Sequence, residues 1–298
     1  MKGGFTRKLR AYLELVRIHN VAVSLVTTYT GYITASKLIT GGLEHGSELV
    51  AVLAIVALIA GSGYVINDYY DVVSDSVSKP WRPIPSGRVS RREARILAYI
   101  LMGLGLMVSL LTLRPSVMLF VLSNAILVHE YSRWIKKTGF IGNITVALNS
   151  AATIVFGALA FASARGLDVP VLAFIPALYA FLLILGREVV KGIEDYEGDK
   201  LADTRTLAVV WGPRRAAIAS AVLLVAVIAL SPLPYILAGY NTAYLVLAAV
   251  VDILIIVSLA GILAGKDVHK VIEESRKARS YLKAATFVGG LAFILGVL

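Results

Sequence analysis

Long stretches of this chain contain no ionisable side chain, and this feature limits the folds available to it more than any other. Residues 49–66, 96–113, 141–164 and 169–186 lack Asp, Glu, Lys, Arg and His, and residues 216–251 extend the pattern over 36 positions. A helix that crosses a bilayer needs about 20 mostly apolar residues. The chain is therefore predicted to be a multi-pass α-helical membrane protein.

These runs and several weaker apolar segments predict an all-α fold with nine transmembrane helices and a single domain over residues 1–298. The longest run has room for two helices, and we place a break near Ser231 and Pro232 because proline interrupts a helix. Residues 2–17 are basic and amphipathic, which predicts a helix that lies on the membrane surface. The nine predicted helices cover residues 18–39, 48–67, 94–113, 115–133, 141–164, 169–190, 215–236, 243–264 and 281–298.

Composition and charge exclude other classes of protein. Hydrophobic residues make up 58% of the chain and charged residues only 16%, whereas a soluble domain has about 25% charged residues. The absence of cysteine excludes disulfides, thiolate metal sites and thiol nucleophiles. A net charge of +10 would suggest nucleic acid in a soluble protein. In a membrane protein it indicates topology and anionic lipid, so the expected surroundings are a lipid bilayer and no nucleic acid is expected.

The basic residues give an independent test of the helix count. With the N-terminus in the cytoplasm, 26 of the 29 Lys and Arg residues fall on cytoplasmic segments, and the outer segments hold only Lys37, Arg114 and Arg165. An excess of basic residues in cytoplasmic loops is typical of membrane proteins. The distribution predicts a protein of the cell membrane whose N-terminus is cytoplasmic and whose C-terminus, after nine helices, lies outside.

Two short acidic motifs lie at the cytoplasmic ends of predicted helices. Asn67, Asp71 and Asp75 share one helix face, and Asp195 and Asp199 share another, because residues four apart lie on the same side of a helix. Like charges at that spacing repel each other, so a cation should offset them. Carboxylate and amide oxygens without nearby His or Cys suit a hard cation such as Mg²⁺.

Basic residues interleave with these acids and extend the prediction to a phosphate ligand. Mg²⁺ usually needs substrate phosphate oxygens to complete its coordination, and cationic side chains would neutralise the same anion. Solvated charge at a helix end could explain one such motif, but two matched motifs favour a metal-bridged diphosphate site. The basic residues nearest the motifs are Lys79, Arg82, Arg88, Arg187 and Lys191.

A weak internal repeat places both motifs in equivalent positions. Asp75 is followed by the pair Arg91-Arg92, and Asp199 is followed by the pair Arg214-Arg215, at an offset close to 123 residues. The repeat predicts two quasi-repeated halves, roughly residues 1–140 and 141–298, that face one central cavity. Intramembrane sites at repeat interfaces are common, so the two acidic motifs are expected to share one cytoplasmic site.

Taken together, the two motifs resemble the aspartate motifs of the UbiA superfamily of intramembrane prenyltransferases. The similarity continues in the loop from Arg82 to Arg88, in Tyr131, Lys136 and Gly142-Asn143, and in Thr206-Leu207, and it covers most of the chain. The resemblance implies a fold of nine helices around a central cavity that opens to lipid. It also implies Mg²⁺-dependent transfer of a prenyl group from its diphosphate to an acceptor.

The resemblance further implies a role for each motif residue. Asn67, Asp71 and Asp75 would hold one Mg²⁺ ion, Asp195 and Asp199 would hold a second, and the two ions would bridge the diphosphate. The four aspartates of these sets are the expected catalytic residues. The expected substrate-binding residues are Asp68, Lys79, Arg82, Arg88, Tyr131, Lys136, Arg187 and Lys191. Asp68 lies about 100° from the metal-binding face, so it could instead hold a basic residue.

The choice of acceptor depends on finer similarity. Residues 65–71 and 186–199 are most similar to the archaeal branch of the superfamily, which transfers a geranylgeranyl group from geranylgeranyl diphosphate to geranylgeranylglyceryl phosphate in ether-lipid biosynthesis. Lys136 is the first choice for binding the acceptor phosphate, since it lies on a separate connection. One alternative is an aromatic polyprenyltransferase acting on 4-hydroxybenzoate. The other is a membrane transporter, although only Asp252 among the acids is predicted near the bilayer centre.

Overall fold

The computed structural model describes residues 2–298, and this part of the chain is helical without any β-strand. Short loops join the long helices, and 3₁₀ turns at Ile135–Thr138 and Val171–Phe174 precede two of them. The helices are α1 (Lys2–Val16), α2 (Ile18–Thr40), α3 (Glu48–Tyr70), α4 (Val72–Ser78), α5 (Arg91–Leu111), α6 (Pro115–Arg133), α7 (Phe140–Ala164), α8 (Ile175–Glu194), α9 (Tyr196–Leu201), α10 (Leu207–Trp211), α11 (Pro213–Leu230), α12 (Leu233–Leu237), α13 (Thr242–Ala264) and α14 (Val268–Val297).

The long helices give the molecule the character of a multi-pass membrane protein. In the described part of the chain, seven helical segments are long and apolar enough to cross a membrane: α3, α5, α7, α8, α11 with α12, α13 and α14. Helices α2 and α6 lie at two further predicted positions but fall outside this set. The all-α membrane fold is confirmed, and the count of nine membrane-spanning helices stays a prediction.

Helix boundaries follow the sequence in most places, but the last helix starts earlier than predicted. Helix α11 ends at Leu230 and α12 begins at Leu233, as expected from Pro232 between them. The prediction that the last helix begins at residue 281 was wrong, because α14 begins at Val268. The side chain of Asp267 caps this helix by accepting a 2.8 Å hydrogen bond from the Lys270 amide. The first half of α14 is charged and precedes the apolar segment. Ion pairs such as that of Lys277 with Glu274, 2.9 Å apart, stabilise this half of the helix.

The backbones of helices α2 and α7 are in contact where the helices cross, because each helix has a glycine at the crossing. A Cβ atom on Gly31 of α2 would lie 1.8 Å from the carbonyl oxygen of Ile154, and one on Gly157 of α7 would lie 1.9 Å from the carbonyl oxygen of Thr28. Small residues permit this close approach in membrane helices, where dispersion contacts and hydrogen bonds drive association. The crossing fixes α2, which carries part of the cavity wall described below.

We expect Gly31→Leu to destabilise the protein, because backbone atoms of α7 cannot move aside for the new side chain. Overpacking of this kind costs about 1–3 kcal/mol, which lowers the midpoint of thermal unfolding by roughly 5 °C for a chain of this size. The matched control is Gly103→Leu, since nothing lies within 4 Å of a Cβ at Gly103. Equal unfolding midpoints in detergent for the two variants would contradict the close crossing.

Candidate active site

Each acidic motif spans a break between two consecutive helices. Asp71 separates α3 from α4 with φ −86° and ψ 0°, and Asp195 separates α8 from α9 with φ −85° and ψ 5°. Helical hydrogen bonding continues across each junction, because the Asp75 amide donates to the Asp71 carbonyl and the Asp199 amide donates to the Asp195 carbonyl, both at 2.8 Å. Each pair of aspartates therefore shares a face, as the four-residue spacing predicts.

The first motif contains a closed polar set around Asp71. The Nζ atom of Lys136 donates to the Asp71 carboxylate and, at 3.2 Å, to Oδ1 of Asn67. Nδ2 of Asn67 donates to the other Asp71 oxygen at 3.0 Å. Lys136 thus contacts the first acidic motif, although it lies apart from both motifs in the sequence. The turn at Ile135–Thr138 brings it there from the end of α6. Binding of the acceptor phosphate by Lys136 stays a prediction.

A second cluster in the first motif neutralises the remaining acids. Nη1 of Arg82 lies 2.5 Å from Oδ2 of Asp75 and 3.2 Å from Oδ1 of Asp68. Asp68 also accepts a hydrogen bond from Arg17 at 2.5 Å, and Lys79 lies 4.0 Å from Asp75. The two carboxylates are each only 4% exposed, so these cations offset charges that would otherwise be costly to bury. In this structure Asp68 pairs with the basic side chains of Arg17 and Arg82, the alternative to substrate binding that its position on the helix suggested.

The second motif differs because its acids have no cationic partner at close range. Neither Asp195 nor Asp199 forms an ion pair within 4.0 Å in the part of the chain that the structure describes. Partial burial raises the pKa of both carboxyl groups, and the charge of Asp195 raises the pKa of Asp199 further. A bound cation would favour the ionised form of both groups.

Sequence reasoning missed an acidic residue between two of the predicted basic residues. Glu188 is 9% exposed on α8, with Nη2 of Arg187 at 3.0 Å and Nζ of Lys191 at 3.8 Å from its carboxylate. The available signal was an acid in a mostly apolar helix with basic residues one position before and three positions after it. Arg17 was also missed, because it was counted only as a charge that sets topology.

A cavity of about 990 Å³ connects the first motif with α8 and α14. Its walls are mostly apolar away from the acidic motifs and include Val56, Phe156 and Leu183. The predicted site residues that line it are Asn67, Asp71, Lys79, Arg82, Tyr131, Arg187 and Lys191. Asp68, Asp75 and Lys136 do not line it but contact residues that do. Asp195 and Asp199 lie four and eight residues beyond Lys191 and do not line the cavity.

Arg88 has a different place from the other predicted residues. Its guanidinium group donates to the Glu14 carboxylate at 2.6 and 3.0 Å and to the carbonyl oxygen of Trp81 at 2.5 Å. Arg88 does not line the cavity. These contacts connect α1 with the loop that follows α4. The predicted role of Arg88 in substrate binding therefore has no support from its position.

The wall of the cavity contributed by α11–α13 contains the partner of Asp252 that the sequence left unidentified. The Ser231 hydroxyl donates to Oδ2 of Asp252 at 2.7 Å, and the Tyr244 hydroxyl donates to the Ser231 carbonyl at 2.9 Å. The break between α11 and α12 brings Ser231 to this position. Asp252 therefore belongs to a local hydrogen-bonded group, and no cationic side chain of the described residues lies within 4.0 Å of it.

The residues of the acidic motifs fit a magnesium ion that is completed by a phosphate ligand. Among the described residues, no group of three or more His, Cys, Asp or Glu side chains is arranged to hold a metal alone. Mg²⁺ often binds through one or two carboxylates together with substrate phosphates. The unpaired Asp195 and Asp199 provide such a partial site, whereas Asp71 would have to exchange its contact with Lys136 for the metal.

Comparisons with known proteins agree with the resemblance seen in the motifs. The model of the UbiA prenyltransferase family matches residues 24–273. A digeranylgeranylglyceryl phosphate synthase from Hyperthermus butylicus is 52% identical over an alignment of 297 positions that covers 97% of each chain. A protein of the same name from Saccharolobus solfataricus is 41% identical over 290 residues, covering 97% of this chain and 98% of that protein.

Solved structures extend this similarity to the fold. A structure described as giving insight into digeranylgeranylglyceryl phosphate synthase in membranes has a TM-score of 0.80 and 32% identity, covering 97% of this chain and 98% of that chain. A UbiA homologue from Archaeoglobus fulgidus bound to GPP and Mg²⁺ has a TM-score of 0.64 and 20% identity, covering 93% of this chain and 99% of that chain. The family match, the identities and the fold lead to one conclusion: the chain belongs to the UbiA prenyltransferase family.

Proposed function

We propose that the chain transfers a geranylgeranyl group from geranylgeranyl diphosphate to the free hydroxyl of geranylgeranylglyceryl phosphate, a step of archaeal ether-lipid biosynthesis. The observation that carries this proposal is the cavity of about 990 Å³, which combines acid–base clusters with long apolar walls. A prenyl diphosphate has the matching division into a charged head and an apolar tail. The name shared by the relatives from Hyperthermus butylicus and Saccharolobus solfataricus supports the choice of acceptor.

The acidic motifs would hold two Mg²⁺ ions, one on Asp195 and Asp199 and the other on Asn67, Asp71 and Asp75. Bound Mg²⁺ supplies positive charge that stabilises the departing diphosphate. When Asp71 and Asp75 are engaged in this way, Lys136 and Arg82 lose part of their present pairing. The basic side chains then become available to donate hydrogen bonds to the diphosphate oxygens, as do Arg187 and Lys191 on α8.

Transfer begins when the allylic carbon–oxygen bond of the donor breaks and diphosphate leaves with the bonding electrons. The allylic cation that remains accepts an electron pair from the acceptor hydroxyl oxygen, and the released diphosphate takes up the hydroxyl proton. The apolar walls keep water away, since water would capture the cation. Tyr64 and Tyr131 line the same cavity, and their aromatic faces stabilise positive charge nearby.

The proposed orientation places both motifs and the N-terminus in the cytoplasm, with nine spanning helices, the C-terminus outside and the cavity at the centre. The matching breaks at Asp71 and Asp195 support one domain over residues 1–298 that is built from two halves, 1–140 and 141–298.

Cysteine labelling tests this orientation. We expect membrane-impermeant reagents to label Ser74→Cys and Lys200→Cys from the cytoplasmic side only, because each lies beside one motif and is exposed. Gly42→Cys, in the loop between α2 and α3, should be labelled only from the outer side. Labelling of the first two positions from opposite sides would contradict a shared site.

The function itself is tested with purified protein in lipid vesicles that contain labelled geranylgeranyl diphosphate and geranylgeranylglyceryl phosphate. We expect a labelled diether lipid phosphate to form with Mg²⁺ and to disappear when EDTA removes the ion. Formation of no product with Mg²⁺ present, by protein that is folded in the membrane, would contradict the proposal.

A further inference from the structure

The cationic side chains that line the cavity differ in whether an acid already pairs with them. In the described part of the chain these cations are Arg17, Lys79, Arg82, Arg187, Lys191 and Lys283. All except Lys283 have an Asp or Glu oxygen within 4.0 Å. No ion pair or hydrogen bond of Lys283 occurs among the described residues, so its charge is available to a ligand that carries its own negative charge.

Lys283 occupies a defined depth on α14. It is the last ionisable residue of the helix, and the apolar segment 284–297 follows it directly. A lysine in this position holds its ammonium group at the boundary between lipid tails and headgroups. Its side chain is exposed at the edge of the cavity. An amphiphilic anion from the bilayer would therefore meet this charge at the depth of its own headgroup.

The helix face above Lys283 leaves room for an apolar tail. Thr286, Gly290 and Phe293 lie three, seven and ten residues further along, share this face and also line the cavity. A Cβ atom at Gly290 would meet nothing within 4 Å, so open space lies beside the helix at this point. The rise of a helix places Gly290 about 10 Å from Lys283 towards the membrane interior.

We propose that this face of α14 is the acceptor subsite, in which Lys283 binds the monophosphate of the prenyl-glyceryl phosphate and the acceptor's tail passes Gly290. The inference rests on the proposed function and names the residue that recognises the acceptor's charge. Lys136 and Arg82 are committed to the acids of the first motif, so the donor diphosphate and its metal ions account for them. The second anion needs a separate cation where screening is weak, and Lys283 is that cation.

Steady-state kinetics of Lys283→Ala test the proposal. We expect KM for geranylgeranylglyceryl phosphate to rise and kcat/KM to fall about ten- to a hundredfold, as for loss of one charge-assisted hydrogen bond. KM for geranylgeranyl diphosphate should stay unchanged. Lys283→Arg should recover most of the loss. Lys277→Ala is the matched control, because Lys277 lies on the same helix, pairs with Glu274 and does not line the cavity.

A second acceptor isolates the phosphate contact from any structural effect of the variant. With geranylgeranylglycerol, which lacks the phosphate, wild type and Lys283→Ala should transfer at equal rates, because the contact is missing in both. A rate loss of the same size with both acceptors would overturn the assignment, since it would indicate a structural role. A rise in donor KM would overturn it too, because Lys283 would then belong to the diphosphate site.

The failure of this inference can be distinguished from failure of the proposed function. If the wild-type protein prenylates the lipid phosphate and Lys283→Ala does so with the same KM, only the acceptor assignment is overturned. If the wild-type protein transfers to neither acceptor, the proposed function is overturned together with it. Gly290→Leu adds an independent check: it should impair transfer to geranylgeranylglyceryl phosphate more than transfer to a short-chain analogue, and equal impairment would count against the tail path.

Discussion

Asp199→Asn is expected to lower the transfer rate at least about 100-fold, as for loss of a charge that stabilises a developing anion, while the protein stays folded in the membrane. Asp199 and Asp195 form no ion pair at close range in the described residues, and a metal ion is the cation that we propose for them. The amide of asparagine keeps the shape of the side chain but removes its charge. The measurement is kcat/KM for the donor at saturating Mg²⁺.

The same variant should respond to Mg²⁺ differently from the wild type. Burial and the neighbouring charge of Asp195 raise the pKa of Asp199, so its ionised form is disfavoured without metal. Asp199→Asn should therefore keep or raise the unfolding midpoint in EDTA, and added Mg²⁺ should stabilise it less than it stabilises the wild type. Asp203→Asn is the control, because Asp203 is exposed and its positive φ of 51° suits asparagine. Near wild-type turnover of Asp199→Asn would contradict the metal assignment.

Asp71, in the first motif, should behave differently from Asp199. The sequence alone suggests that removing either acid relieves repulsion. In the structure the Asp71 carboxylate accepts from both Lys136 and Asn67, so Asp71→Asn leaves a partly buried ammonium group without its counter-charge. We expect this variant to lose activity and also to unfold at a lower temperature in EDTA.

Arg82→Met is expected to cause the largest loss of stability among the site variants. Removing one partner of a buried ion pair costs about 3–5 kcal/mol, because the other charge stays buried and uncompensated. Arg82 serves two such acids: Asp75 would keep only Lys79 at 4.0 Å, and Asp68 would keep only Arg17. The unfolding midpoint in detergent should fall sharply, and donor binding should weaken because Arg82 also lines the cavity.

Two further variants test whether the burial of the Arg82 ion pairs causes this loss of stability. Arg88→Met removes an arginine of the same loop whose pairing with Glu14 is 39% exposed on both sides, so it should cost at most about 1 kcal/mol. Combining Arg82→Met with Asp75→Asn removes one of the uncompensated charges and should recover part of the lost stability. Equal stability of Arg82→Met and Arg88→Met would contradict the buried cluster.

The sequence predicts the membrane fold and the two motifs well because both depend on local patterns. Uncharged runs locate the spans, and the four-residue spacing of Asp71 with Asp75 and of Asp195 with Asp199 survives in the structure. The start of α14 could not be predicted in this way. Its first half lies outside the apolar segment and is stabilised by the Asp267 cap and pairs of charged side chains, which carry no hydropathy signal.

The sequence could not predict which basic side chains of a helix face the cavity. Most Lys and Arg residues are predicted to lie on the cytoplasmic side, so a count of charges cannot show that Lys283 lines a cavity while Lys277 pairs with a neighbour. Arg17 was overlooked for the same reason, because its contact with Asp68 is set by packing between distant segments. Glu188 was overlooked although its partners Arg187 and Lys191 are close to it in the sequence. The contact of Lys136 with Asp71 could not be predicted from the sequence either, because it depends on the turn after α6.

The central claim is that the protein prenylates a lipid phosphate, and a competition for one donor tests it most directly. Purified protein in vesicles is given labelled geranylgeranyl diphosphate, Mg²⁺ and equal amounts of geranylgeranylglyceryl phosphate and 4-hydroxybenzoate, and the labelled products are separated. We predict that nearly all of the label appears in the diether lipid phosphate and that EDTA abolishes the reaction. Efficient prenylation of 4-hydroxybenzoate with the lipid phosphate left unused would contradict the claim.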